Sequence, residues 1–282
     1  MASICDDPRV IRVGVVAREA TRRRLGAVIV SASSIGSWHW CPRKAWHDTT
    51  LFNSSWLPRR ISDSGVLEGL AGLWAAQLAR SRKPAVRRGR RIHGEYVGAE
   101  LEALDPCSIV ESGVYGLLEV ESFEKQLERY ERVRDPVEYY RVEEFPLIAT
   151  RVDHILLAGV PDGIMRGGEG LIVYELKTTS SPEKFLKGTG LVAALHQLTT
   201  YTLILSERWR VEKAILDVRW RDGRRLLEYN ASELLREYRD SVLEIAKRLA
   251  SSTPPRGNNR LCRGCEYNRR VPQCLFIGAD VE

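Results

Sequence analysis

The sequence predicts an α/β protein, a core sheet flanked by helices, with an N-terminal helical region and a tail closed by a metal. Three stretches carry that expectation. Residues 159–179 read as a β-hairpin, residues 190–208 as a helix that is apolar almost all round, and residues 211–229 as a second hairpin. Strands on either side of a buried helix make a layered α/β arrangement. The 282 residues leave room for one large or two small domains. A hydrophobic content of 44% with 28% charged residues suits a soluble globular protein with a full core. No apolar run approaches the ~18 residues of a membrane span. The first residues carry acids and no apolar leader core, so the expected location is cytoplasmic, with no membrane partner. The net charge of +6 and a pI of about 9.0 lean toward polyanionic partners. Of the 43 basic residues only 8 are lysine, and an arginine surplus favours bidentate phosphate contacts.

In chain order, residues 9–30 hold two apolar runs around a basic middle and are expected to form a hairpin that covers a sheet edge. Ser33 or Ser34 is the expected cap of a short helix within residues 31–40. Cys41 and Pro42 mark a helix start or a turn. Residues 61–80 read as a helix capped by Ser62 or Asp63, with Val66, Leu67, Leu70, Leu73, Trp74 and Leu78 at helical spacing. Residues 81–91 concentrate cations, among them Arg87, Arg88, Arg90 and Arg91. They are a candidate phosphate-contacting segment, a solvated basic loop being the ordinary alternative. His93 follows and opens an amphipathic helix; a neutral imidazole there is a candidate metal ligand. Residues 105–116 read as a break, 117–134 as a charged helix, and 138–148 as a strand beside 151–157. Residues 181–187 are a short helix or turn. Gln197 and Tyr201, four apart, share one face of the apolar helix. The second hairpin turns at Asp222-Gly223. Residues 232–250 are an amphipathic helix capped by Ser232, and 251–259 are a linker.

The hairpin at 159–179 carries the chemistry. Gly167, Gly168 and Gly170 are expected to supply the positive φ angles of a tight reversal. With the turn there, Arg166 meets Leu171 and Asp162 falls opposite Glu175. Leu171, Val173, Glu175 and Lys177 share one strand face. Carboxylates across a strand pair sit ~5 Å apart and repel unless something lies between them. A divalent cation with a taste for hard oxygen, magnesium or manganese, removes the conflict. Lys177 points into the same space. An isolated Asp-x(12)-Glu-x-Lys match is more often a set of solvated charges, but the apolar strand 171–176 reads as part of a covered sheet.

The six cysteines are Cys5, Cys41, Cys107, Cys262, Cys265 and Cys274. Cys262-x-x-Cys265-x(8)-Cys274 offers three thiolates within 13 residues, a metal signal in a reducing compartment. A closed four-coordinate site needs one more. Cys41 is the best candidate, because Cys5 is expected in a disordered end and Cys107 in an unrelated break. Four thiolates suit Zn²⁺ and an iron–sulfur cluster equally.

The segment C-P-R-K at Cys41, His93, V-P-D-G-I at Asp162, E-L-K at residues 175–177, Q-x-x-x-Y at residues 197–201 and the terminal C-x-x-C…C stand in one order. In that order the chain resembles the iron–sulfur branch of the RecB-like nucleases in the PD-(D/E)xK superfamily, over residues 31–274. Within it, the chain looks most like the CRISPR-associated exonuclease of spacer acquisition. The resemblance implies a restriction-endonuclease-like core in which His93, Asp162, Glu175 and the Leu176 carbonyl bind Mg²⁺ or Mn²⁺ and Lys177 is catalytic. It implies strand contacts from Gln197 and Tyr201, and a [4Fe–4S] cluster on Cys41, Cys262, Cys265 and Cys274. DNA, single-stranded or with single-stranded ends, is the implied substrate, and the CRISPR integrase complex an implied partner. Two other classes stay open: the nuclease subunit of a DNA-repair helicase–nuclease, since no phosphate-loop motif is present to supply a motor, and a catalytically inert DNA-binding module with a structural metal. The expected division is an extension over 1–30, a helical region over 31–140, a nuclease core over 141–230, and a helix with cysteine tail over 231–282.

Overall fold

A computed structural model describes residues 3–83, 86–87, 105–111, 120–141, 147–258, 260 and 262–272. A 3₁₀ turn, Ile4–Asp6, leads into helix α1, Pro8–Leu25. The Asp7 side chain accepts from the Arg9 backbone N–H, and Pro8 stands in the first turn, where its missing N–H costs nothing. Gly26, at φ 68°, ends the helix in the left-handed region and returns its N–H to the Arg22 carbonyl. Strand β1, Val28–Ser31, follows. Residues 9–30 are therefore not the expected hairpin. Val10, Val13, Ala17 and Thr21 are buried at intervals of three and four, and both ends carry helix caps.

Arg18 in the middle of α1 is fully buried. Its guanidinium donates to the carbonyls of Gly14, Trp46 and Leu249 and to the Thr50 hydroxyl. It also lies 4.1 Å from the centre of the Trp46 ring. The planar fork thus joins three helices while leaving no donor orphaned.

Helix α2, Ala32–Trp38, is capped by Ser31, whose hydroxyl accepts the Ser34 N–H, and not by Ser33 or Ser34. Helix α3, Pro42–Asn53, begins directly after Cys41. Helix α4, Ser64–Ser81, has the expected Asp63 cap. The expected break at 105–116 contains helix α5, Pro106–Glu111, because the Asp105 carboxylate takes the N–H groups of Cys107 and Ser108. Helix α6 spans Val120–Arg132. Residues 138–148 are not one strand. Asp135 accepts the Val137 N–H beside Pro136 and starts helix α7, Pro136–Arg141, so the strand begins only at Ile148.

Two sheets follow. In the first, β2 (Ile148–Val152) and β3 (Ile155–Gly159) pair antiparallel, and β1 pairs parallel with β3. The second has the order β4, β5, β6, β7, with β4 at Gly163–Arg166, β5 at Leu171–Thr178, β6 at Val211–Trp220 and β7 at Gly223–Asn230. Strands β5 and β6 are parallel. Their connection runs through α8, Pro182–Leu186, and α9, Thr189–Ser206. Helix α10, Ala231–Ala250, closes the described helices; Asn230, not Ser232, is its cap. Val173, Ala214, Leu216 and Val218 from the sheet pack with Leu198, Leu205 and Leu249 from α9 and α10, all fully buried. This is the expected mixed α/β fold. Among the described residues no helix is long and apolar enough to cross a membrane.

Candidate active site

The hairpin register is the expected one: Arg166 pairs with Leu171 and Gly163 with Tyr174. Asp162 stands one residue before the paired stretch, in register to face Glu175. The glycines of the loop play a different part from the one expected. Among the described glycines only Gly26 has a positive φ. Gly170 is required for space, since a Cβ there would sit 2.5 Å from the Arg210 carbonyl oxygen.

Glu175 is 3% exposed. Its Oε1 accepts from Lys177 Nζ at 2.6 Å. Its Oε2 is buried with no hydrogen-bond partner. Burial pushes the Glu175 carboxyl up to about 7; Lys177 opposes that, and the nearby Asp162 charge adds to it. Asp162, on the exposed side, is held by its Oδ2, which accepts the Leu176 backbone N–H at 2.7 Å. Both carboxylates are thereby fixed to the last residues of β5.

A chain of polar groups leads away from them. Lys177 Nζ donates to Gln197 Oε1 at 2.8 Å, and Gln197 Nε2 donates to the Tyr201 hydroxyl at 2.9 Å. The helical spacing of four sets Gln197 and Tyr201 side by side on α9. Tyr201 is 3% exposed and packs over Gly159, where a Cβ would lie 2.5 Å from its ring. Gln197 is half-buried. The arrangement can hold one hard cation between two carboxylates and keep an ammonium beside it.

Five predicted site residues, His93, Arg88, Arg90, Arg91 and Cys274, lie outside the described residues. Arg87 is exposed just beyond α4. Cys41 is buried; Cys262, which opens a 3₁₀ turn, Cys262–Gly264, and Cys265, directly after it, are half-buried. Cys5 is not in a disordered end. It is buried, with the Ile4 N–H donating to the Arg269 carbonyl at 2.7 Å and the Cys5 N–H to the Tyr267 carbonyl at 3.1 Å. The missed signal was Asp7-Pro8, a helix start that anchors the residues immediately before it. Cys107 is disulfide-bonded. Among the described residues no three His, Cys, Asp or Glu side chains converge on a point that holds a single metal ion.

A sequence profile described as the PD-(D/E)XK nuclease superfamily matches residues 30–270. No curated protein matches the chain. Among solved structures, the protein SSO0001 is 19% identical over 70% of this chain and 82% of its own, with a TM-score of 0.29.

Proposed function

Because the chain belongs to the PD-(D/E)XK nuclease superfamily, whose profile spans residues 30–270, we propose that the Asp162–Glu175–Lys177 site hydrolyses DNA phosphodiester bonds as a metal-dependent exonuclease. The observation that carries the reading is the buried, donorless Oε2 of Glu175 beside a second carboxylate. Uncompensated, such an oxygen is costly. A hard cation compensates it, and the oxygen donors of Asp162, Glu175 and the Leu176 carbonyl suit Mg²⁺ or Mn²⁺. His93 is the fourth donor that the resemblance implies. When bound, the cation supplies Lewis acidity and a water of lowered pKa.

The protein's own groups do the rest. Asp162 and Glu175 hold the cation at the end of β5. Lys177, kept between Glu175 and Gln197, steadies the attacking water or the charge that develops on the phosphate. Gln197 reaches the strand, while the buried Tyr201 keeps Gln197 oriented. Arg87, Arg88, Arg90 and Arg91 follow the backbone of a single strand. We assign the biological role to trimming DNA ends for CRISPR spacer acquisition, alongside the integrase complex, on the strength of the motif order. The cysteines form a second, architectural centre, a [4Fe–4S] cluster in preference to Zn²⁺.

Digestion of end-labelled linear and closed circular DNA, each single- and double-stranded, tests this reading. The expectation is shortening of linear single strands from an end in Mg²⁺ or Mn²⁺, none with chelator, and intact circles. Rapid cutting of circles would replace the exonuclease with an endonuclease.

A further inference from the structure

We propose that Cys5 supplies the fourth thiolate of the cysteine metal centre, with Cys41, Cys262 and Cys265 as its partners. This rests on the reading that the cysteines hold a metal, and departs from the ligand set that the motif order implies, in which Cys274 takes that place.

A cavity of about 260 Å³ is lined by these four cysteines together with Lys44 and Glu266. All four are free thiols. They come from three separated parts of the chain, and each is held by structure around it. The 3₁₀ turn carrying Cys5 is tied to the tail by two backbone hydrogen bonds, to Arg269 and Tyr267. His47 Nε2 is 3.1 Å from the Cys5 carbonyl oxygen and its ring stacks on Tyr267. The Cys5 and Cys265 thiols are hydrogen-bonded to each other. Asn258 serves the other pair: its backbone N–H donates to Cys41 Sγ at 3.3 Å, and its carbonyl accepts from Cys262 Sγ at 3.4 Å. Residues around a metal centre orient its ligands in this way. The Lys44 side chain offsets the charge that four deprotonated thiols gather.

The size of the cavity bears on the occupant. It is several times the ~30 Å³ that one water takes up. All four thiols line it together. An iron–sulfur cluster, the centre proposed above, is an occupant that four thiolates suit. The consequence is that residues 3–7 belong to the centre and are stapled by it to the C-terminal tail.

The test compares Cys5→Ser with Cys274→Ser, both purified without oxygen, by iron content per chain and visible absorbance. The expected result is a several-fold loss of iron in Cys5→Ser, as in Cys41→Ser, with wild-type iron in Cys274→Ser. Cys5→Asp, which keeps an iron-binding side chain in case the serine variant does not fold, should retain a cluster with a shifted EPR signal after reduction. Wild-type iron in Cys5→Ser, or an unshifted spectrum in Cys5→Asp, overturns the assignment. Wild-type protein with neither iron nor zinc overturns the metal reading itself and the assignment with it.

Discussion

A carboxyl oxygen buried without a hydrogen-bond partner costs about 1–3 kcal/mol or more once ionised, and Glu175 Oε2 is buried in that way. Its environment has a measurable consequence. The Glu175 carboxyl is pushed from its ordinary 4.5 to about 7 by burial first, against the pull of Lys177. A group with a raised folded pKa stabilises the fold below its unfolded value and loses that contribution as pH rises through the folded one. Metal-free protein should therefore become less stable between about pH 4.5 and 7, as followed by thermal melts. Cation binding needs the deprotonated carboxylate. Mn²⁺ affinity, measured by titration calorimetry, should rise with pH up to about 7 and then level off; Glu175→Gln should flatten the rise. In the proposed site Gln197 acts through Lys177, to which it is hydrogen-bonded. Gln197→Ala should lower kcat by up to about 100-fold through misplacement of the ammonium while leaving Mn²⁺ affinity unchanged. A loss of Mn²⁺ affinity equal to the loss in rate would mean that Gln197 supports the carboxylates instead.

At the scale of elements, the site depends on how closely β3, α2 and α9 approach. Gly159 leaves room for the Tyr201 ring: an added Cβ would be 2.5 Å from that ring and 3.1 Å from Ala32 Cβ. Gly159→Ala should cost about 1–3 kcal/mol by overpacking and, by shifting Tyr201, reduce cleavage more than the melting temperature suggests. Normal turnover in a destabilised Gly159→Ala protein would disconnect Tyr201 from the site. The hairpin register was legible because strand alternation and one reversal fix it. The Asp162–Glu175–Lys177 group follows from counting along two strands. The Gln197–Tyr201 pairing was legible as a shared helix face, but its bond to Lys177 was not, since sequence spacing does not say which face of α9 meets β5. The region 9–30 was misread because β-branched residues favour strands locally, while Asp7, Pro8 and Gly26 cap a helix. Residues 138–148 failed for the same reason, an unweighted Asp135-Pro136 start. Nothing near Cys5 in sequence shows that the tail pairs with it, as its backbone hydrogen bond to Tyr267 does.

Across the whole molecule, residues 3–7 and 262–272 meet beside α3 and α4. Tyr267 donates to Asp48 at 2.8 Å, Lys44 pairs with Asp48, and Lys83 pairs with Glu266 at 2.8 Å. Burial works to raise the Asp48 carboxyl, but Lys44 and Arg80 outweigh it and hold it below its ordinary 3.8. Glu266 is likewise lowered, burial being overcome by Lys44 and Lys83. Depressed folded pKa values contribute stability above the unfolded values and lose it as pH falls through the folded ones. The melting temperature should therefore drop as the solution is acidified below about pH 4, and Asp48→Asn should show a lower melting temperature at neutral pH with a smaller acid-induced drop. An equal acid drop in Asp48→Asn would remove this network from the account.

Cleavage in the proposed site depends on a cation held by Asp162 and Glu175. Side-by-side digestion of end-labelled single-stranded DNA in Mn²⁺ by wild type, Asp162→Asn and Glu175→Gln separates the two carboxylates' roles, because both substitutions keep shape and remove charge. The predicted result is a loss of about 10³-fold or more in each variant, with DNA affinity close to wild type and no fall in melting temperature. Cleavage by either variant at the wild-type rate would contradict it.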